Sequence, residues 1–339
     1  MPASECVRSA NSTGANERLY PLDVLKAVSI ITVVAIHAFL PWGERNRPPF
    51  LLWLGLATIF AVPGFFFAAG FLAGRSRTDS VKLYWAQRLR RILAPYLLAS
   101  ALTLFLPHPL TGASWSSARD VLFALAFGSA WGPYYFVVVL VQLVLVTPLL
   151  WRLPTTLLAG LTIVFTATSF WYRVNPFFFT GSLFWALRHP FYWWGYYLLG
   201  MWMARTEFGR QFVSRGTANA WLLIALPIAS VLLTASALYP LPKLAAATAT
   251  HAYVHLAVFA LVAVGAVLPR WAPLVWLSDA SYPIYLYHLF FVRSIGTRVN
   301  QWGTITNRAL TFFLALLATV AFVAVVRRVL GPKARTLFG

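Results

Sequence analysis

The chain has 339 residues, 60% of them hydrophobic and 10% charged, with a mean hydropathy of +0.72. This composition excludes a water-soluble globular protein and implies a polytopic membrane protein. The 27 Lys and Arg residues outnumber the 8 Asp and Glu residues, for a net charge of +19, yet no block of five or six cations forms a nucleic-acid arm. The excess reads as topology signal rather than as a nucleic-acid surface. The single Cys6 excludes an internal disulfide and offers no thiolate set for zinc or an iron–sulfur cluster.

Residues 1–18 are polar and lack the apolar core and small-residue cleavage site of a removable signal, so they read as a disordered cytoplasmic tail. Membrane-length apolar runs follow at roughly 20–41, 50–74, 90–107, 134–151, 155–172, 190–204, 219–239, 250–268, 274–292 and 308–328. The expected fold is therefore all-α, a bundle of about ten transmembrane helices. Residues 119–130 are too short to span and suit a re-entrant or interfacial helix. Residues 331–339 read as a C-terminal tail, which leaves 19–330 as one transmembrane domain. Seventeen Lys and Arg fall on the side of the tails and nine on the other, which places both termini in the cytoplasm.

The first span carries Asp23, Lys26 and His37 inside an apolar run, where ionisable groups are expensive and therefore functional candidates. Lys26 and His37 are separated by three helical turns, on one face and about 16 Å apart. Asp23 sits one turn before Lys26 and is expected to pair with it. Between the second and third spans lie Arg75, Arg77, Lys82, Arg88, Arg90 and Arg91. Arg88 and Arg91 share a helix face at i, i+3, and two guanidinium forks suit a phosphate, although ordinary positive-inside charge gives the same pattern.

Ser281, Tyr285 and His288 form a polar stripe on the ninth span. Ser and Tyr there also serve helix packing, whereas His288 lies well inside the span. Counting 1.5 Å per residue from the cytoplasmic side puts His288 about 21 Å and His37 about 25 Å up their helices, at similar depth. The aromatic runs around residues 131–136 and 190–203 read first as interfacial anchors. His108, His189, His251 and His255 fall at span ends, and the His251/His255 pair lacks the third ligand of a metal site. No nucleophile elbow, phosphate loop or HExxH helix occurs. Histidine remains as the proton-transfer group, and with the arginine pair it suggests a charged cytoplasmic donor and a hydroxyl acceptor.

Six segments carry a resemblance in one order along the chain: LDVLKAVSIITVVAIHAF, VPGFFFAAGFLAGR, QRLRRILAPY, YYFVVVLVQLVLVTPLL, YLLGMWMAR and LSDASYPIYLYHLF. Together they resemble the acyltransferase 3 family of integral-membrane acyltransferases, over nearly the whole chain. The resemblance implies transfer of an acyl group, often acetyl, from cytoplasmic acyl-CoA to a hydroxyl of a cell-envelope glycan, glycolipid or similar acceptor. It implies a multi-pass protein of the bacterial inner membrane, with no permanently bound cofactor. It also implies His37 as the essential base, Arg88 and Arg91 as the donor-binding pair, and Ser281, Tyr282, Tyr285 and His288 as acceptor-orienting residues. Lys26 stands where the family has Arg, keeping the charge without the bidentate fork, and Ala69 replaces the family's serine. A transporter or flippase for a sugar or lipid, or a purely structural membrane partner, stands beside this expectation as an alternative.

Overall fold

The structure, a computed structural model, describes residues 18–40, 48–76, 78, 80–105, 117–175, 181–215, 228, 230, 231, 233, 234, 242–299 and 304–339. Regular structure among the described residues is helical, with no strand. In chain order the helices are α1 (Tyr20–Phe39), α2 (Pro49–Thr58), α3 (Ala61–Arg75), α4 (Val81–Phe105), α5 (Ala118–Phe127), α6 (Tyr135–Arg152), α7 (Thr155–Val174), α8 (Leu183–Ala186), α9 (Pro190–Arg205), α10 (Glu207–Arg215), α11 (Lys243–Val267), α12 (Ala272–Asp279), α13 (Ser281–Val299), α14 (Thr304–Leu330) and α15 (Ala334–Leu337). Among the described residues, six segments are long and apolar enough to cross a membrane: Tyr20–Phe39, Pro49–Arg75, Gly132–Arg152, Thr155–Val174, Lys243–Val267 and Ile305–Lys333.

Most expected spans coincide with these helices, and the departures have local causes. The second span is α2 and α3, separated by a turn at residues 59 and 60. The ninth is split at Ala280 into α12 and α13. The expected third span begins earlier, at Val81, because Leu, Gln and Arg are good helix formers and carry α4 out beyond its apolar part. The short helix expected near 119–130 is α5, whose start is capped by Ser117 accepting from the Asp120 amide and whose end is closed by Gly128 at φ +63°. The span expected at 219–239 lies for the most part outside the described residues, as do Cys6, His108, Arg45, Arg47 and Arg77.

Helix α1 is the axis of the bundle, packed by α3, α11, α12, α13 and α14. Its Leu22, Leu25, Ile30, Val33 and Val34 are fully enclosed. Both ends are clamped from far along the chain. At the start, the Trp271 amide donates to the Tyr20 hydroxyl at 3.0 Å. At the end, Arg308 donates to the Phe39 carbonyl at 2.7 Å, which satisfies an acceptor that a helix C-terminus leaves open.

Among the described residues, helices α3 and α9 pack most extensively on each other. A methyl group added at Gly70 would collide with the Tyr197 carbonyl, and one at Gly200 with the Phe67 carbonyl. The two glycines thus let backbone meet backbone, the usual means of tight helix association in a membrane. In the neighbouring aromatic run, Trp193, Tyr196 and Tyr197 are buried in this packing rather than set out as interfacial anchors.

Residues at the borders of both expected tails contact the bundle. Arg18 is folded onto the start of α1, as described below. At the other end, Phe338 packs on Tyr287 and Phe322, and Arg327 donates to the Gly339 carbonyl at 3.3 Å.

Candidate active site

Asp23 is only 4% exposed and is held by three groups. Arg18 Nε donates to one carboxylate oxygen at 2.6 Å and the Ser278 hydroxyl to the other at 2.6 Å, while Lys26 Nζ stands 3.4 Å from the latter oxygen. The expected Asp23–Lys26 pair therefore exists, but it is the longest of the three contacts. Arg18 reaches further, to both oxygens of Asp279 and to the Val275 carbonyl, and ties the start of α1 to α12. The hydrogen bond to Asp23, and then that to Asp279, raises the pKa of this guanidinium above its ordinary value. Arg18 and Ser278 escaped the sequence reading. The first looked like tail, and the second is one polar residue in a motif whose later positions drew the attention.

Beside Lys26 opens a cavity of about 300 Å³. Its walls are apolar, with Phe65, Leu72, Ile92, Phe136, Leu140 and Val144, and its polar groups come from Lys26, Arg88, Arg91, Ser281, Tyr282 and Tyr285, joined by Tyr84 and Tyr197. Six of the nine residues singled out in the sequence thus line one space, although they come from α1, α4 and α13. Arg88 and Arg91 are exposed and mark the open end, since successive turns of α4 carry them on one face. Tyr282 donates to the Ile92 carbonyl at 2.7 Å and fixes α13 against α4. Tyr285 donates to the Pro133 carbonyl and lies against Phe136, which closes the deep end.

His37 and His288 lie beyond that wall. Their ring centroids are 5.1 Å apart, so the similar depth inferred from helical rise is accompanied by direct contact between α1 and α13. The Tyr285 and His288 rings are 6.0 Å apart, which connects the pair to the cavity wall. His288 Nδ1 is 2.7 Å from the Tyr285 carbonyl, and because a carbonyl only accepts, Nδ1 carries the hydrogen. Its Nε2 then presents a lone pair, and this buried atom has no hydrogen-bond partner. Two imidazoles at this spacing can exchange a proton, directly or through one water. The expected stripe of Ser281, Tyr285 and His288 is therefore divided, its first two members lining the cavity and the third facing His37.

Arg188 is 6% exposed. It donates to the carbonyls of Phe127, Gly128 and Phe184 at 2.5, 3.2 and 2.7 Å, and its guanidinium lies 3.6 Å from the Phe184 ring centroid. Burial pushes its pKa down to about 10, so it remains charged at neutral pH while it closes the end of α5. A wider cleft of about 800 Å³ lies between Arg75, Arg152, Arg205 and Arg210 and contains none of the nine candidate residues. It adjoins the first cavity, since Trp151 on its wall stacks edge-on with Tyr84 on the other at 4.7 Å.

Comparison with known proteins adds one finding. Residues 19–328 match the family model described as an acyltransferase domain, that of acyltransferase 3. No curated protein and no solved structure gives a match.

Proposed function

The chain belongs to the acyltransferase 3 family and is an integral-membrane acyltransferase, and we propose that it moves an acyl group, most simply acetyl, from cytoplasmic acyl-CoA to a hydroxyl of a cell-envelope glycan, glycolipid or similar acceptor. The observation that supports this most is the arrangement around the 300 Å³ cavity, cationic at its open end and apolar along its length, with the His37–His288 pair behind its far wall. A volume of this size is at the low end of small-molecule sites, roughly 300–1,000 Å³, and fits the acyl group with the pantetheine arm. The phosphates of CoA then stay at Lys26, Arg88 and Arg91, outside the apolar part.

In this reading His37 is the general base. It takes the proton of the acceptor hydroxyl as that oxygen attacks the thioester carbonyl, the C–S bond breaks, and the thiolate of CoA leaves and is reprotonated. His288, with its free Nε2, orients the His37 ring or receives the proton from it. Tyr285 orients the reacting groups at the closed end, Ser281 and Tyr282 line the cavity before it, and Asp23 holds Lys26 and Arg18 at the mouth. Transfer through a transient acyl-enzyme uses the same base. The accompanying topology is ten spans with both termini cytoplasmic, in the bacterial inner membrane, so that the base lies toward the outer face where exported acceptors arrive.

The test is direct. Purified protein in detergent with acetyl-CoA and an envelope extract should release CoA in an acceptor-dependent manner, and mass spectrometry of the extract should show one species heavier by an acetyl group. Acceptor movement without CoA release would support a transporter instead.

A further inference from the structure

A second set of polar groups lies apart from the cavity, where α7, α9 and α11 meet. Arg173, in the last turn of α7, donates from Nη2 to the Tyr196 hydroxyl on α9 at 3.1 Å. The Tyr196 ring is 5.1 Å from the ring of His255 and 6.5 Å from that of His251, both on α11, and the two imidazoles are 4.6 Å apart. His255 Nδ1 is 2.9 Å from the His251 carbonyl, so that nitrogen carries a hydrogen and the ring is fixed by its own helix. Three atoms in this cluster are buried without a partner: Arg173 Nε and both ring nitrogens of His251.

Such atoms are exceptional. Native proteins satisfy the large majority of buried polar groups, and a buried charge needs compensation beyond a neutral hydrogen bond. Among the described residues no ion pair reaches Arg173. A guanidinium can only donate, and a neutral imidazole donates from one nitrogen and accepts at the other, so Arg173 Nε and the N–H of His251 both call for an acceptor, and beside a buried guanidinium that acceptor is one bearing negative charge. The Nε and Nη edges of a guanidinium match the two oxygens of a carboxylate or phosphate.

We propose that Arg173, Tyr196 and His251 form a binding site for an oxyanion, a carboxylate or a phosphate, separate from the cavity of Lys26, Arg88 and Arg91. In the ten-span topology this site is on the outer side, a placement that rests on the proposed function; the binding itself does not. Two sources carry that chemistry there: an acidic group on the acceptor and the headgroup of an anionic lipid.

The experiment is thermal unfolding of the purified full-length protein in an uncharged detergent, with inorganic phosphate or acetate against chloride at equal ionic strength. Either oxyanion should give a saturable rise of about 2–5 °C over chloride, and Arg173→Gln and His251→Gln should each abolish it. Should Arg173→Gln not yield monodisperse protein, Arg173→Lys and His251→Gln carry the comparison. A rise found in phosphatidylglycerol nanodiscs over phosphatidylcholine nanodiscs, and lost in the variants, identifies the lipid headgroup; a response to free anions alone identifies the acceptor's acid. No rise in the wild type, or a rise that survives both substitutions, overturns the proposal. No acyl-CoA enters the assay, so its failure is distinct from a failure of the acyl-transfer reading.

Discussion

The contact between His37 and His288 yields the sharpest test of the site. General bases contribute typically 10²–10⁴ in rate, about 2.7–5.4 kcal/mol at 1.36 kcal/mol per tenfold. His37→Ala should therefore reduce acyl transfer by about 10²–10⁴-fold. His288→Ala should cost less, because it removes a partner of the base rather than the base. Rings 5.1 Å apart that handle one proton act as a unit, so the double variant should be no slower than His37→Ala alone. Two independent roles would instead multiply the losses. The assay is CoA release from acetyl-CoA in the presence of envelope extract, normalised to membrane-inserted protein and to an unchanged gel-filtration profile. Wild-type turnover by His37→Ala would refute the assignment of the base, and multiplicative loss in the double variant would refute the shared proton.

Three further outcomes follow from single contacts. Lys26→Arg should keep kcat and KM for acyl-CoA within about threefold, because the charge survives at the cavity mouth, whereas Lys26→Ala should raise KM; steady-state kinetics separates the two. Arg188→Met leaves three carbonyls of the α5 and α8 region without their donor, and at about 1–3 kcal/mol for each buried acceptor left bare it should lower the melting temperature and expose α5 to proteolysis. Gly200→Val puts a branched side chain against the Phe67 carbonyl and should cost at least about 1–3 kcal/mol, read as loss of monodisperse protein in detergent.

What could be read from the sequence was position along a helix. The fixed rise per residue gave His37 and His288 a similar depth, and the i, i+3 spacing gave Arg88 and Arg91 the same face. Direction around the helix axis toward a particular neighbour is a property of packing, and it was not legible. Hence Ser281, Tyr285 and His288 looked like one stripe, although two line the cavity and one meets α1. The same limit concealed Arg18, whose polar surroundings resemble disorder until Asp23 and Asp279 are brought within reach. It also concealed Arg173 and His251, each unremarkable alone at a span end and notable only once Tyr196 lies between them. The break at Ala280 has its signal three residues on, in Pro283, which can give no N–H to the Asp279 carbonyl and clashes with it, but the apolar pattern runs through it.

The clamp on Asp23 has a consequence for how the protein is made. Ser278 follows Asp23 by 255 residues, and ribosomes add about 5–20 residues per second, so the first helix waits roughly 10–50 s for that partner. Over that interval a buried carboxylate has to be tolerated in a nascent chain. Its nearest cations, Arg18 and Lys26, lie only five and three residues away and emerge with it. The local pairing thus compensates the carboxylate during insertion, and the distant bonds to Ser278, together with those of Arg18 to Asp279, lock it once the last third of the chain arrives.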